Sequence, residues 1–266
     1  MIYLDPVRNQ LIYVEKVPTS KFWDTHWTVE KEIRNQILGI KESIVSRITK
    51  IYLKPENGII LEGGCGKGHH VATLRNNGYR AIGLDFAKET VEKLNEYIPE
   101  LDIRYGDVRK IPFDNNYFIG YWSFGVIEHF WEDYESIALE MHRVIKKNGY
   151  LFLSFPYMSP LRNFKAIFGF YSIWNGKRPQ NFYQYALNSH LVIKEFEKLG
   201  FKLIKTIPHD GIKGTKDEIK IIRPLLQRIY DFKGNNILNY YSKRILFKVL
   251  SPFASHMIIL IFRKIY

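Results

Sequence analysis

The chain is poor in thiols, in acids and in long apolar runs. It holds one cysteine, Cys65, among 266 residues. That excludes an internal disulfide and suits a reducing compartment. No run reaches the roughly 18 apolar residues that a membrane-crossing helix needs. The segment Met1-Ile2-Tyr3-Leu4-Asp5-Pro6 lacks the apolar core of a signal peptide. Internal repeats and low-complexity tracts are absent. Acids are outnumbered, with 27 Asp and Glu against 39 Lys and Arg, for a net charge of +12. Such a balance points to anionic partners such as nucleic acid, a membrane surface or a phosphorylated substrate, or simply to a lysine-rich surface. A cytoplasmic location is expected. At 46% hydrophobic the chain can build a full core for one decorated domain, or at most two.

What is present is concentrated in one loop. Ile59-Ile60-Leu61 reads as a buried strand, followed by Glu62-Gly63-Gly64-Cys65-Gly66-Lys67-Gly68 and then by helix character from His69 to Asn76. Alternating glycines permit a sharp turn and let a ligand approach bare backbone. A strand-to-helix loop is where open α/β sheets bind nucleotide-like ligands. Neither phosphate template fits. His69 stands where the dinucleotide fingerprint needs its third glycine, and Lys67 is followed by Gly68 instead of Ser or Thr. Glu62 would repel a pyrophosphate and suits a ligand with a positive end. Cys65, a lone thiol without a partner pattern, reads as a packing residue.

Downstream, Tyr79 to Asp85 reads as a second strand ending in an acid, at the spacing of a ribose-binding carboxylate. Leu101 to Tyr105 leads to Gly106-Asp107-Val108, with Ile111-Pro112-Phe113 beyond. Tyr117 to Ser123 runs into Phe124-Gly125-Val126-Ile127-Glu128-His129. The turn Ile145-Lys146-Lys147-Asn148-Gly149 precedes an apolar strand, Leu151 to Phe155.

In this order and spacing the pieces resemble the class I S-adenosylmethionine-dependent methyltransferases, over about residues 55 to 210 and a last strand near 256 to 264. The resemblance implies a doubly wound α/β fold with a seven-stranded, mostly parallel sheet whose last strand is antiparallel. It also implies S-adenosylmethionine as cofactor. Glu62, Gly64, Gly66 and Gly68 would surround the methionine moiety, Asp85 the ribose and Asp107 the adenine, with Phe86, Val108, Ser123 and Phe124 as further cofactor-binding residues. Some relatives hold a metal in an E-x-x-E-H motif there. This chain has Gly125 in place of the first carboxylate, so no metal is expected.

Residues 1 to 54 are expected to form an N-terminal helical cap, because Val29, Ile33, Ile37, Ile40, Ile44, Val45 and Ile48 follow a helical period. Trp23, His26 and Trp27 either wall the pocket or, more ordinarily, pack the cap on the sheet. Residues 55 to 266 form the expected methyltransferase domain. Residues 156 to 188 are too long for a plain connection and too aromatic for disorder. They read as an acceptor lid carrying Tyr157, Arg162, Tyr171, Trp174 and Tyr183. A helical insertion is expected over 212 to 254, where the family has a short hairpin, with Pro224 starting or kinking a helix. From Lys202 onward thirteen bases face four acids, interleaved with Leu and Ile. That suits peripheral contact with an anionic membrane, or a solvated amphipathic helix packed on its own domain.

Methyl transfer is a displacement for which the enzyme mainly positions the acceptor. An oxygen acceptor also needs a base. His129 is the candidate, with Glu128 orienting it or acting itself; alternatively both fix a helix start. The expected function is methyl transfer to a small-molecule, sugar or lipid-linked acceptor. The alternatives are an RNA methyltransferase, which the absence of an Asp/Asn-Pro-Pro-aromatic turn disfavours, and a non-catalytic S-adenosylmethionine-binding scaffold.

Overall fold

The computed structural model describes residues 1–30, 32–132, 134–231 and 237–266; Lys233 of the basic tail lies outside them. Two strands open the chain, β1 (Ile2–Asp5) and β2 (Gln10–Val14). Three short helices follow, α1 (Ser20–His26), α2 (Ile33–Leu38) and α3 (Ile44–Tyr52). The central alternation is β3 (Ile59–Gly63), α4 (His69–Asn76), β4 (Arg80–Asp85), α5 (Lys88–Tyr97), β5 (Ile103–Tyr105), β6 (Phe118–Phe124), α6 (Glu135–Val144) and β7 (Ile145–Pro156). Then come α7 (Pro160–Ile167), β8 (Ser172–Ile173), β9 (Phe182–Ala186), α8 (Ser189–Lys198) and β10 (Phe201–His209). Last are α9 (Gly211–Glu218), α10 (Arg223–Asp231), α11 (Ile237–Ala254) and β11 (Met257–Lys264).

Seven strands form the main sheet in the order β10-β11-β7-β6-β3-β4-β5. Only β11 runs against its neighbours, as the resemblance implied. The chain winds outward from β3 through β4 to β5, then returns to lay β6 on the other side of β3. That reversal opens a crevice at the carboxyl ends of β3 and β6, where such folds bind ligands. Both faces of β3 are covered, which is why it reads as a continuous apolar run. Ile60 packs with Trp122 and Phe152 on one face, and Leu61 with Tyr121 and Leu153 on the other. Trp122 stacks on Phe152 at 4.5 Å and donates its indole N–H to Thr49 Oγ1 at 2.9 Å, fastening α3 to the sheet.

The helical period across residues 28 to 51 belongs to two helices. Gly39 closes α2, and Ser43 with Ser46 makes a reciprocal capping box that starts α3. The period survives the break because Val29, Ile33, Ile37, Val45 and Ile48 all enter one core cluster.

The expected helical cap over 1 to 54 needs correction at its start. The Asp5 carboxylate accepts hydrogen bonds from the backbone N–H of Val7 (3.0 Å) and Arg8 (3.3 Å), and Asn9 takes a left-handed φ of 49°. This side-chain turn closes β1 on β2 as a hairpin. The lid is not a separate flap either. It supplies β8, parallel to β1, and β9, antiparallel to β2, giving a second sheet in the order β8-β1-β2-β9.

The helical insertion leaves β10 at His209 and re-enters β11 at Met257, residues paired with each other. Met257 also pairs with Pro156 at the end of β7. The insertion therefore projects from the same end of the sheet as the glycine loop. Pro224 is the second residue of α10 and starts that helix instead of kinking it. Among the described residues no helix is long and apolar enough to cross a membrane.

Candidate active site

The loop after β3 is pinned to the end of β4. Gly64 N–H donates to the Leu84 carbonyl at 2.8 Å, and Gly66 N–H to Asp85 Oδ2 at 2.7 Å. The other oxygen, Oδ1, accepts from Ala87 N–H at 2.9 Å. Burial raises the Asp85 pKa, against the pull of those amides. So Asp85 shapes the loop as well as facing the crevice. Gly64 and Gly66 have φ of 75° and 50°. A Cβ on Gly64 would overlap the Val126 side chain, and one on Gly66 would sit 2.9 Å from the Trp27 ring. Bare backbone is thus required for the walls to close around this loop. Gly68 caps α4 in the left-handed region and packs toward Ile103.

Glu62 lies beneath the loop. It is buried, with Oε2 lacking a hydrogen-bond partner. Burial, then the nearby Asp85 charge, push its carboxyl well above the usual range. An orphaned buried acid under a glycine cradle fits a cationic group such as an ammonium or sulfonium. Burial also pushes the Cys65 thiol well up, so it is an inert packing group.

Helix α1 roofs this crevice. Ser20 Oγ donates to the Phe86 carbonyl at 3.0 Å, and Asp24 Oδ1 accepts from Thr90 N–H (2.9 Å) and Oγ1 (3.0 Å). These bonds anchor α1 to the turn after β4 and to the first turn of α5, and lower Trp23 and Trp27 onto the site. The rings stack on each other at 5.8 Å. His26 packs edge-on against Trp27 at 4.6 Å.

The result is a cavity of about 540 Å³, a typical volume for a cofactor or small-ligand site. Gly64, Asp85, Phe86, Asp107 and Val108 line one half. Phe130, Trp131, Glu132, Arg178, Gln180 and Phe182 line the other. Trp23, Trp27, Val126 and His129 stand between. Burial alone would raise the Asp107 pKa, but bonds from the Arg109 guanidinium and backbone N–H hold it below the ordinary value.

His129 meets the chemistry better than Glu128 does. Its Nδ1 lies 2.8 Å from the Tyr183 carbonyl. A carbonyl only accepts, so Nδ1 carries the proton and Nε2 keeps the lone pair. The edges of Trp23 (5.0 Å) and Tyr183 (5.1 Å) fix the ring. Burial lowers its pKa to about 4, despite the Tyr183 bond, so the imidazole is neutral at pH 7. Glu128 does not orient it. That carboxyl is fully buried beside Gly125, with Oε2 unpartnered, and burial raises it to about 8. The orienting group is the Tyr183 carbonyl, on β9.

Several expected residues lie elsewhere. Phe124 turns toward His70 (5.3 Å) and His209 (6.4 Å) on the face of the α3 and α4 core. Ser123 is buried with Oγ unpartnered. Gly125 and Val126, just beyond, line the cavity instead. In the lid, Tyr183 packs on His129, and Trp174 packs edge-on against Trp131 at 5.6 Å. None of the five expected lid residues, Tyr157, Arg162, Tyr171, Trp174 and Tyr183, forms the cavity wall, to which that segment gives Arg178, Pro179, Gln180 and Phe182 instead. Arg162 is buried, donating to Glu218 (2.9 Å), to the Tyr157 carbonyl (2.8 Å) and toward His256. Tyr171 donates to the same Glu218 at 2.6 Å. This network ties α7 to α9. Arg109, which the sequence reading does not single out, also lines the cavity and stands two residues after Asp107.

Residues 61–153 match a family model described as a methyltransferase domain. A protein of Mycolicibacterium smegmatis named "Probable S-adenosylmethionine-dependent methyltransferase" is 32% identical over 97 residues, which are 36% of this chain and 37% of that relative. Its match therefore spans little more than a third of either protein. A S-adenosylmethionine-dependent methyltransferase structure from Archaeoglobus fulgidus superposes with TM-score 0.52 and 15% identity, over 87% of this chain and 98% of that one. The cyclase SpnF superposes with TM-score 0.54 and 16% identity, over 95% and 99%. At such identities the superpositions speak for the fold alone. Sheet order, glycine cradle and family match together identify residues 61–153 as a methyltransferase domain of the class I, S-adenosylmethionine-dependent type.

Proposed function

We propose that the whole protein transfers a methyl group from S-adenosylmethionine to a small-molecule, sugar or lipid-linked acceptor. The observation that carries this reading is the one cavity in which Gly64 of the cradle, Asp85, Asp107 and His129 meet an aromatic second half. S-adenosylmethionine supplies an activated methyl on a sulfonium. Glu62 and the glycine loop would hold its methionine end, Asp85 its ribose, and Asp107 with Val108 its adenine. The second half has aromatic walls with a few polar groups, Glu132, Ser136, Arg178 and Gln180. That is the character of a small-ligand pocket.

His129 faces this acceptor half with Nε2 unprotonated. An imidazole of pKa about 4 is a weak base. It suits an acceptor whose own proton becomes acidic only as the new bond forms. Trp23 and Tyr183 of β9 pack edge-on against the imidazole.

The test incubates the purified protein with methyl-labelled S-adenosylmethionine and fractionated cell extract. Label in a small-molecule, glycan or lipid fraction, lost in His129→Ala, supports the reading. Label confined to RNA would transfer it to the nucleic-acid class. S-adenosylmethionine binding without any turnover would favour a scaffold.

A further inference from the structure

Helix α11 exposes a row of apolar side chains over its described second half. Its outward face carries Ile245, Val249 and Phe253, four residues apart and therefore in one row, each more than half exposed at 62%, 66% and 51%. A surface helix normally turns charge outward. Its neighbours repeat the anomaly. On α7 and its C-cap, Phe164, Ile167 and Phe168 are spaced to share one face, and the Phe164 and Phe168 rings lie 4.5 Å apart. Ile167 is 80% exposed. Around the start of α10, Ile221 is 90% exposed and Leu225 62%. Helices α7, α9, α10 and α11 pack on one another, so these rows belong to one helical cluster. Clustered exposure of this kind marks a docking surface.

Charge indicates what docks. Residues 211–254 hold nine Lys and Arg against three acids. Two of those acids are already engaged, Glu218 by Arg162 and Lys165, and Asp217 by Lys213. Lys220, Arg223, Arg228 and Lys248 stay exposed among the apolar rows. A protein partner with one apolar groove would not need cations scattered through three helices. A sheet of anionic headgroups over acyl chains matches both components. We propose that the α7–α10–α11 face docks on an anionic lipid bilayer. The placement of the insertion gives this a purpose. It leaves the sheet at the ends of β7 and β10, the same end at which the glycine loop leaves β3, so docking would hold that end of the sheet near the membrane.

The proposal stands apart from methyl transfer, and so does its test. The full chain is sedimented with vesicles of equal parts phosphatidylcholine and phosphatidylglycerol, and with pure phosphatidylcholine. Binding to the anionic vesicles alone, weakened about tenfold by Val249→Asp with Phe253→Asp, is expected. Ile167→Asp and Ile221→Asp, at still more exposed positions, should act alike. S-adenosylmethionine affinity measured on each variant reports an intact fold and should not move. Wild type left in the supernatant at low salt overturns the proposal. So does vesicle binding that the apolar variants leave unchanged, which would be adsorption by net charge. A dimer in sedimentation analysis that Val249→Asp splits would also overturn it, by assigning the face to a second copy.

Discussion

The Tyr183 carbonyl holds the His129 imidazole by Nδ1 at 2.8 Å, and thereby makes a lid strand responsible for the tautomer of the candidate base. His129→Asn can keep a donor to that carbonyl while losing the base. We expect it to lower kcat roughly 100-fold, the low end of general-base effects, with little change in S-adenosylmethionine affinity. The pH profile carries a second signature. With the pKa lowered to about 4, the acid limb assigned to His129 should fall near there and not near 6.5. The sign for stability agrees. The folded state binds this proton less readily than the unfolded chain, so the contribution of His129 is full above about 6.5 and lost as pH falls toward 4.

Glu128 has the opposite sign. Its folded pKa of about 8 lies above the ordinary 4.5. Between those values the folded protein holds a proton that the unfolded chain has released. Stability from this site is therefore present below about 4.5 and declines as pH rises toward 8. Urea midpoints across that window should slope downward in wild type and flatten in Glu128→Gln.

Asp85 serves both the loop and the crevice. Asp85→Ala should weaken S-adenosylmethionine binding roughly 10- to 100-fold, the value of a charged hydrogen bond, as read by calorimetric titration. Because Gly66 N–H then loses its acceptor, amide exchange at Gly66 should accelerate. Asp85→Asn, which still offers one oxygen, should fall between the two.

Gly66→Ala tests the fit of the cradle. The left-handed backbone costs an L-residue roughly 1–2 kcal/mol, and its Cβ would press on Trp27 at 2.9 Å. Loss of affinity in Gly66→Ala should be partly recovered in the double variant with Trp27→Ala.

Arg162 separates anchoring from acceptor recognition. It is buried with Glu218, and breaking such a pair leaves an uncompensated charge worth about 3–5 kcal/mol. Arg162→Met should lower the unfolding midpoint sharply without changing the KM for any acceptor. A change in KM at unaltered stability would return it to the substrate-facing lid.

The parallel core was legible because it is written in local signals. Apolar runs, strand-end acids and paired glycines each act within a few residues, and they located β3, β4, β6, β7 and the loop. The lid was misjudged because a burial partner cannot be read from composition. Arg162 and Tyr171 look like recognition residues until Glu218, far along the chain, is placed against them. The hairpin of β1 and β2 escaped because its turn depends on one side chain, Asp5, with no glycine at the positive-φ position, which Asn9 takes. Trp23 and Trp27 could be read as wall or as packing; Ser20 and Asp24 decide it through bonds to a turn more than sixty residues away.

The second sheet also has a history. Its two inner strands, β1 and β2, leave the ribosome before the outer pair, and their partners Ser172–Ile173 and Phe182–Ala186 appear only after the whole of β3 to β7 has been synthesised. Until then the hairpin presents two unpaired edges. Among the described elements it has nothing of its own to complete it. The glycine loop and the strand-end acids are thus synthesised well before the strand that sets His129. A nascent chain arrested before Phe182 would hold the glycine loop and Asp85 but lack the carbonyl that orients His129.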